Sequence, residues 1–465
     1  MSTEDGEAER SRSPTLPASI AKALHRHSRH WKAFALICFG LANVQLVIWY
    51  TSAREPQHGN AVVLGVPFAE VDNQSTTSGT SASSPSPSTK QPLSILGLSA
   101  DESYKLGATD PVTYRDSLAD FIHTHFPPKI QKSLIYGLSQ YFPKDGLNYE
   151  NLPAMTDYQN GWQTDKTKHP VTSSWTRHNP GWKWEMLGDA EMEQWVNKYF
   201  AGSAIKDVWD ALPVVILKAD MLRYLLLLVH GGVYTDTDTS CLKSISEWGG
   251  NAKLWKDGDG WLAPSRKDQT LESVKQSLGP PSVIVGVEAD VGNRPDWQDW
   301  YARPLQIVQW TLASAPTHPI MLDALSRIVR TSEAFPAWKT QRAANITQLR
   351  AQGQNAAADK LAKILPWAEP TVGGHCSVMQ WTGPGVLTDS VFRYLRARCN
   401  FTWPDLQNLK APLRVCDVVI LPVTGFSPGV GQFGAQGTGD AQAMVHHRFA
   451  GSWKAEALGW KGSSH

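Results

Sequence analysis

Residues Lys218 to Thr239 read KADMLRYLLLLVHGGVYTDTDT. From Pro213 to His230 the chain is apolar except for a few positions, which predicts a long helix buried on nearly every side. Gly231-Gly232 stops it, and Val233-Tyr234 starts a short strand. Two carboxylates then follow at i and i+2, Asp236 and Asp238. At the end of a strand alternate side chains share a face, so both acids reach one site. Two carboxylates a few ångströms apart resist double ionisation, and a bound divalent cation removes that conflict. Hard oxygen ligands suit Mn²⁺ or Mg²⁺. The competing reading is a polar turn; an EF-hand loop wants more acids and a glycine. Asp220 and Arg223 lie three apart, on one face of the helix. On a surface helix they would be an ordinary ion pair. In a buried one the pair costs desolvation, and a ligand-holding role is favoured.

Around this core, strand-like and helix-like stretches alternate. Strands are expected at Ile130–Tyr136, Trp182–Leu187, Ser282–Val287 and Val415–Leu421. Helices are expected at Asp189–Tyr199 with Asp189 as N-cap, at about Pro304–Ala313, at Ile320–Thr331 and at Ala343–Leu365. Such alternation argues an α/β sandwich around a mainly parallel sheet. The sequence shows no internal repeat.

The N-terminal part carries different signals. Ala33–Tyr50 is uncharged and spans about 27 Å as a helix. Lys22, Arg26, Arg29 and Lys32 precede it, and Arg54 is the one cation between it and Lys90. That asymmetry puts the N-terminus in the cytosol and the rest in the lumen. The run begins too late, and is too long, for a usual cleaved signal peptide. The organisation expected is a cytosolic tail (1–32), a transmembrane signal anchor (33–52), a flexible Ser/Thr/Pro-rich stem (53–112) and one lumenal domain (113–465). The stem includes STTSGTSASSPSPST (Ser75–Thr89), too poor in apolar side chains to offset its ordering entropy. Sequons stand at Asn73, Asn345 and Asn400. Cys241, Cys376, Cys399 and Cys416 are lumenal, allowing two disulfides in any of three pairings.

The 465 residues carry 44 Lys+Arg against 43 Asp+Glu. This near-neutral balance argues against nucleic acid as a main partner. Twenty Trp suit a sugar-binding domain, where indole faces stack on sugar C–H groups.

With these residues in view, Lys218–Thr239 resembles the donor-binding core of DxD sugar-nucleotide glycosyltransferases with the GT-A fold. The chain is similar to family 32 and its fungal initiation-specific α-1,6-mannosyltransferases. The blocks that carry the resemblance include FPPKI (Phe126–Ile130), SSWTRHNPGWKWEMLGD (Ser173–Asp189) and GVEAD (Gly286–Asp290). RPDWQDWYARPLQIVQW (Arg294–Trp310), WTGPGVLTDSVF (Trp381–Phe392), LPVTGFSPGVGQFGA (Leu421–Ala435) and HRFAGSW (His447–Trp453) continue it. Gln131-Lys132-Ser133 departs from the family pattern, and the segment from Gly137 to Lys168 fits no block.

The resemblance implies a GT-A-type, Rossmann-like nucleotide-diphospho-sugar transferase as a single catalytic domain. It implies a first strand near Ile130 lining the donor pocket, and Tyr234 flanking it. Asp220 and Arg223 would hold donor sugar hydroxyls. Asp236 would touch ribose, sugar and metal, Asp238 would bind metal, and His447 would supply a third metal or diphosphate contact. Ser452 and Trp453 would close over the diphosphate. Glu288 and Asp290, at a strand end, are candidates for acceptor hydroxyls. Trp297, Trp300 and Tyr301 either stack acceptor sugars or pack as core, and core is favoured.

The implied activity is retaining α-1,6 transfer of mannose from GDP-mannose to N-linked glycans of glycoproteins, in the Golgi membrane. No enzyme nucleophile is evident, so same-face attack through an oxocarbenium-like state is the route that positioning and diphosphate stabilisation serve. Two alternatives remain open at this point. One is a family-32 transferase with another donor or a lipid acceptor. The other is a non-catalytic subunit in a complex with other mannosyltransferases.

Overall fold

The computed structural model describes residues 110–144, 152–164, 172–255, 279–292, 294, 296–368 and 376–451. The cytosolic tail, the expected anchor, all but the end of the stem, and Ser452 and Trp453 lie outside these residues. Among the described residues no helix is long and apolar enough to cross a membrane.

The centre is a nine-stranded mixed sheet. Its strands are β1 (Asn160–Thr164), β2 (Lys183–Leu187), β3 (Gly232–Thr235), β5 (Lys253–Leu254), β6 (Val283–Asp290), β7 (Leu305–Ile307), β8 (Thr311–Ser314), β9 (Leu413–Val415) and β10 (Val418–Leu421). The order is β2-β1-β3-β8-β6-β10-β9-β5, with β7 paired to β6. A separate two-stranded ribbon joins β4 (Thr239–Cys241) to β11 (Val445–His447). β1 pairs in parallel with β2 and β3, and β6 with β10. β8 runs antiparallel to both β3 and β6. The sheet is therefore mixed rather than mainly parallel, because the β7–β8 stretch runs back through its middle.

Both faces of the sheet are covered. Along β6, Val283, Val285 and Val287 join one core while Ile284 joins the other. The two-residue period puts successive side chains on opposite faces, so a strand buried on both sides reads as a continuous apolar run. The helix Val215–His230 lies in the larger core, with Leu217, Met221 and Leu225 fully buried. It ends where Gly231 and Gly232 take φ of +66° and +97°, a region that L side chains rarely adopt. A Cβ at Gly232 would collide with the Asn160 carbonyl of β1. The glycine doublet thus lets β3 turn off the helix and seat directly against β1.

Several sequence expectations are corrected here. Ile130–Tyr136 is not a strand but part of a helix, Pro128–Tyr141. Pro128 takes its first turn, where no backbone N–H is needed, and Ile130, Leu134 and Leu138 recur at helical spacing on the core-facing side. The first strand is β1, in the segment that matched no block. Residues 304–313 form β7 and β8, not a helix. Residues 320–331 and 343–351 belong to one helix, Pro319–Ala351, which continues through Pro336. A second helix, Asn355–Lys363, follows. Val415–Leu421 is a hairpin, with Cys416-Asp417 at the turn between β9 and β10. Gly188, not Asp189, caps the helix Asp189–Phe200. One disulfide joins Cys399 to Cys416, while Cys241 and Cys376 are free and buried.

The hairpin turn carries a buried charge. Asp417 accepts from His318 Nε2 at 2.9 Å and from Tyr394 Oη at 2.7 Å, with Arg398 Nε at 3.7 Å. Burial pushes its carboxyl up, but the His318 bond and charge, Arg398 and Tyr394 outweigh that and hold it at about 2. A carboxyl whose folded pKa lies below its ordinary 3.8 adds stability above that ordinary value, and the contribution is lost as pH falls through the folded one. Asp417→Asn is expected to cost about 3 kcal/mol at neutral pH, because it strands buried donors. The variant should also lose less further stability than wild type between pH 4 and pH 2. Denaturant unfolding across that window checks both.

Candidate active site

The acids after the glycine doublet sit in the tight turn between β3 and β4, Asp236 one residue and Asp238 three residues past the end of β3. The turn is pinned by neighbours. The Asp236 N–H donates to the Trp310 carbonyl at 2.9 Å, and Thr239 Oγ1 donates to the Asp236 carbonyl at 2.6 Å. The Thr235 hydroxyl bonds those of Thr239 and Thr311, each at 2.7 Å. Trp175 Nε1 donates to Thr239 Oγ1 at 3.1 Å.

The β4–β11 ribbon brings in a third group. His447 pairs opposite Thr239, and its Nε2 lies 3.0 Å from Asp238 Oδ1. The Ala450 N–H donates to Asp238 Oδ2 at 2.8 Å, and the Arg448 N–H to the Asp238 carbonyl at 3.1 Å. The His447 imidazole stacks on Trp310 at 4.3 Å between centroids and 13° between planes, with Phe449 edge-on at 4.1 Å. One ligand atom each from Asp236, Asp238 and His447 lie within 4.8 Å of one another. Among the described residues His447 Nδ1 has no partner.

On the other side, Asp236 meets the buried helix. Arg223 Nη2 donates to Asp220 Oδ1 at 2.6 Å and stands 3.7 Å from Asp236 Oδ1, while its Nη1 donates to the Gln309 carbonyl at 3.0 Å. Its guanidinium lies over the Tyr234 ring at 4.6 Å, and its Nε has no partner. The Tyr234 hydroxyl donates to Asp236 Oδ1 at 3.1 Å and shares a 2.7 Å bond with Thr164 of β1. Asp220 is closed from its other side by the Thr382 hydroxyl at 2.9 Å. Asp220 and Arg223 are only 3% and 2% exposed, whereas the Asp236 side chain is 32% exposed. The cluster therefore opens outward at Asp236.

Burial pushes the Asp236 carboxyl up, with Arg223 and His447 opposing and Asp238 adding to the rise. For Asp238 burial also pushes upward, but the hydrogen bond and charge of His447 and the Ala450 N–H prevail, so its carboxyl stays low. Two acids two residues apart are thus held differently. A divalent cation fits this donor set: two carboxylates, an imidazole with an orphan nitrogen, and incomplete compensation of charge at Asp236. The arrangement can hold such a cation at the open end of a buried ionic cluster.

The structure brings Asp220, Arg223, Tyr234, Asp236, Asp238 and His447 into one constellation. Ile130 is corrected: it starts no strand, and the place beside β3 belongs to β1, whose Gly161 and Trp162 pair with β3 and whose Gln163 and Thr164 follow toward the site. Gln163 Nε2 reaches the Asp236 carbonyl at 3.5 Å. Thr164, Gln309, Trp310 and Thr382 are further site residues that the sequence reading missed. Trp310 and Thr382 stand inside quoted blocks, but nothing in their residue type marks a site.

Glu288 and Asp290 stand at the end of β6. This strand is antiparallel to β8, as is β3, so β6 and β3 end at the same edge of the sheet. That is the edge outside the carboxyl ends of strands where open α/β sheets bind ligands. Glu288 falls at a β-bulge between Val287 and Ala289. Its Oε2 accepts from Gln306 Nε2 at 2.8 Å, and Gln306 Oε1 accepts from the Ala302 and Arg303 N–H groups. Burial raises the Glu288 carboxyl, against Gln306 and the His447 charge. Trp300 is 57% exposed and so is not core. Arg294 packs over it at 5.8 Å.

A family described as glycosyltransferase sugar-binding region containing DXD motif matches residues 166–255. The chain is similar to the initiation-specific alpha-1,6-mannosyltransferase of Schizosaccharomyces pombe, 36% identical over 322 residues that cover 67% of each chain. The protein of the same description from Candida albicans is 31% identical, over 78% of this chain and 82% of that one. The Saccharomyces cerevisiae protein so described is 27% identical, over 68% of this chain and 77% of that one.

Tyr234→Phe removes one hydroxyl and keeps the ring against Arg223. Outer partners of a ligating carboxylate are worth about 10–100-fold in metal affinity. The variant is expected to melt like wild type and to bind a divalent cation at least about tenfold more weakly, by titration calorimetry.

Proposed function

We infer the reaction from the family: the chain belongs to the DXD glycosyltransferases of the initiation-specific α-1,6-mannosyltransferase type, and we propose that it moves mannose from GDP-mannose to N-linked glycans of glycoproteins with retention of configuration. The single observation that carries this reading is the convergence of Asp236, Asp238 and His447 beside the Asp220–Arg223 pair. The fold reading that goes with it is a GT-A-type, Rossmann-like catalytic domain.

Asp236, Asp238 and His447 would hold Mn²⁺ or Mg²⁺. Such a cation neutralises charge that grows on the diphosphate as the bond to the sugar breaks. Arg223, fixed by Asp220 and Gln309, keeps positive charge behind Asp236. Tyr234 orients that carboxylate, and Asp220 with Arg223 sets where donor hydroxyls dock. In the reaction the bond between the anomeric carbon and the phosphate oxygen breaks. The acceptor hydroxyl oxygen bonds to the same face of that carbon, its proton goes to the departing phosphate oxygen, and GDP leaves. No dedicated base is required. Glu288 and Asp290, at the sheet edge that carries the acids, bind acceptor hydroxyls.

The same reading makes the protein a single-pass type II protein of the Golgi membrane, with residues 1–32 cytosolic, 33–52 the anchor, 53–112 the stem and 113–465 lumenal. What supports it is the uncharged run, its basic flank and the Ser/Thr/Pro-rich tether.

The test incubates the full chain with GDP-mannose and a core oligomannose glycan, with and without a chelator. Transfer should be lost with the chelator and return when Mn²⁺ or Mg²⁺ is added in excess. Asp238→Ala should lower it by at least ~10²-fold while the melting curve still shows a cooperative fold. Undiminished transfer by the variant overturns the site.

A further inference from the structure

A cavity of about 250 Å³ opens beside the end of β6. It is not the DxD site. Its walls include Val287, Val423 and Phe433, and its polar groups are Asp290, Asn408 and Lys410. β10 is parallel to β6, so Val423, two residues past the end of β10, stands at the same edge of the sheet as Asp236. The volume is just under the roughly 300–1,000 Å³ that takes a drug-sized ligand. It suits one sugar ring, not a nucleotide.

A chain of contacts links this cavity to Glu288. Glu288 Oε2 accepts from the Gln306 side chain, whose amide oxygen accepts from the Ala302 N–H beside Tyr301. Tyr301 meets Phe433 edge-on at 5.6 Å, and Phe433 is a cavity wall. Glu288 and Asp290 are two residues apart on one strand, roughly 7 Å along it. The bulge at Glu288 sets its side chain with Gln306 on one face of β6, while Asp290, opposite Leu305, shares the other face with Val287 and lines the cavity.

The lining chemistry fits a neutral polyol. Asp290 Oδ2 is fixed by the Asn408 N–H at 2.5 Å, which aims the carboxylate. Lys410 contributes a charge of the opposite sign, and among the described residues neither forms an ion pair. One anion and one cation in a small cavity sum to no net charge, so neither a phosphate nor a cationic group is favoured there. They offer acceptors and donors to hydroxyls, while Val287, Val423 and Phe433 receive an apolar C–H face.

We propose that this cavity is a second acceptor subsite, which binds the sugar ring adjacent to the one that is mannosylated, with Asp290 and Lys410 on its hydroxyls and Phe433 against its face. It rests on the transferase reading above and deepens it.

The experiment compares full-length wild type, Lys410→Ala and Phe433→Ala with two acceptors, a core oligomannose glycan and methyl α-mannoside. Hydrogen bonds to a charged group carry about tenfold or more in affinity. The KM for the glycan should rise about tenfold in both variants, while the KM for GDP-mannose and the rate with methyl α-mannoside stay at wild-type values. Lys410 is exposed, so its variant tests the subsite even if Phe433→Ala folds poorly. An unchanged glycan KM in Lys410→Ala, or equal losses with both acceptors, overturns the subsite. Calorimetry with the unreacting glycan separates the two readings. A wild type that binds the glycan in a Lys410-dependent way yet transfers nothing overturns the transferase reading and keeps the subsite.

Discussion

Carboxylates near Arg223 are the constraint around which this end of the molecule is built. Asp220 and Asp236 both approach that one guanidinium, and Asp238 stands close enough to raise Asp236 further. Burial makes each charge costly, so each needs its own compensation. Arg223 pairs with the inner acid, His447 stands 3.0 Å from the outer one, and Asp236 between them is left with a phenol and a distant guanidinium. That residual imbalance faces outward, where the side chain is partly exposed. The opening of the cluster is therefore also the place where added positive charge is most favourable.

The same physics appears elsewhere with a different outcome. Between the helices Pro319–Ala351 and Pro384–Cys399, Asp323 accepts from Arg327 at 2.9 Å and stands 3.3 Å from Arg393. Asp389 is gripped by Arg303 through two bonds of 2.8 and 2.7 Å and by Arg327 at 3.2 Å. There the acids are matched by surrounding guanidinium groups, and no member is more than 11% exposed. Buried ionic groups alone thus do not mark a site; a shortage of compensation at an exposed member does.

What the sequence disclosed follows from how each signal is encoded. The helix Val215–His230, the glycine doublet and the paired acids are contiguous, so one stretch displayed their spacing and their chemistry together. The helix at 128–141 was missed because Pro127-Pro128 reads as a breaker, although proline also opens helices. β7 and β8 were missed because both faces are buried, which erases the two-residue alternation that marks a strand. Thr164, Gln309, Trp310 and Thr382 act through groups far away in sequence: Thr164 on Tyr234, Thr382 on Asp220, Trp310 on His447. A threonine or a tryptophan carries no mark of that role until the fold sets its partner beside it.

The mixed sheet explains why the site forms where it does. β8 runs antiparallel to β3, so it begins where β3 ends, and the Trp310 carbonyl meets the Asp236 N–H at that junction. A single residue then ties the turn by its backbone and carries His447 on its ring, so that a shift of β8 moves both sides of the cluster together. A parallel neighbour would have delivered its own carboxyl end there, with no strand start to supply the loop of Gln309 and Trp310. The antiparallel insertion through the middle of the sheet is what couples the acids after β3 to the histidine on β11 and to the guanidinium on the buried helix.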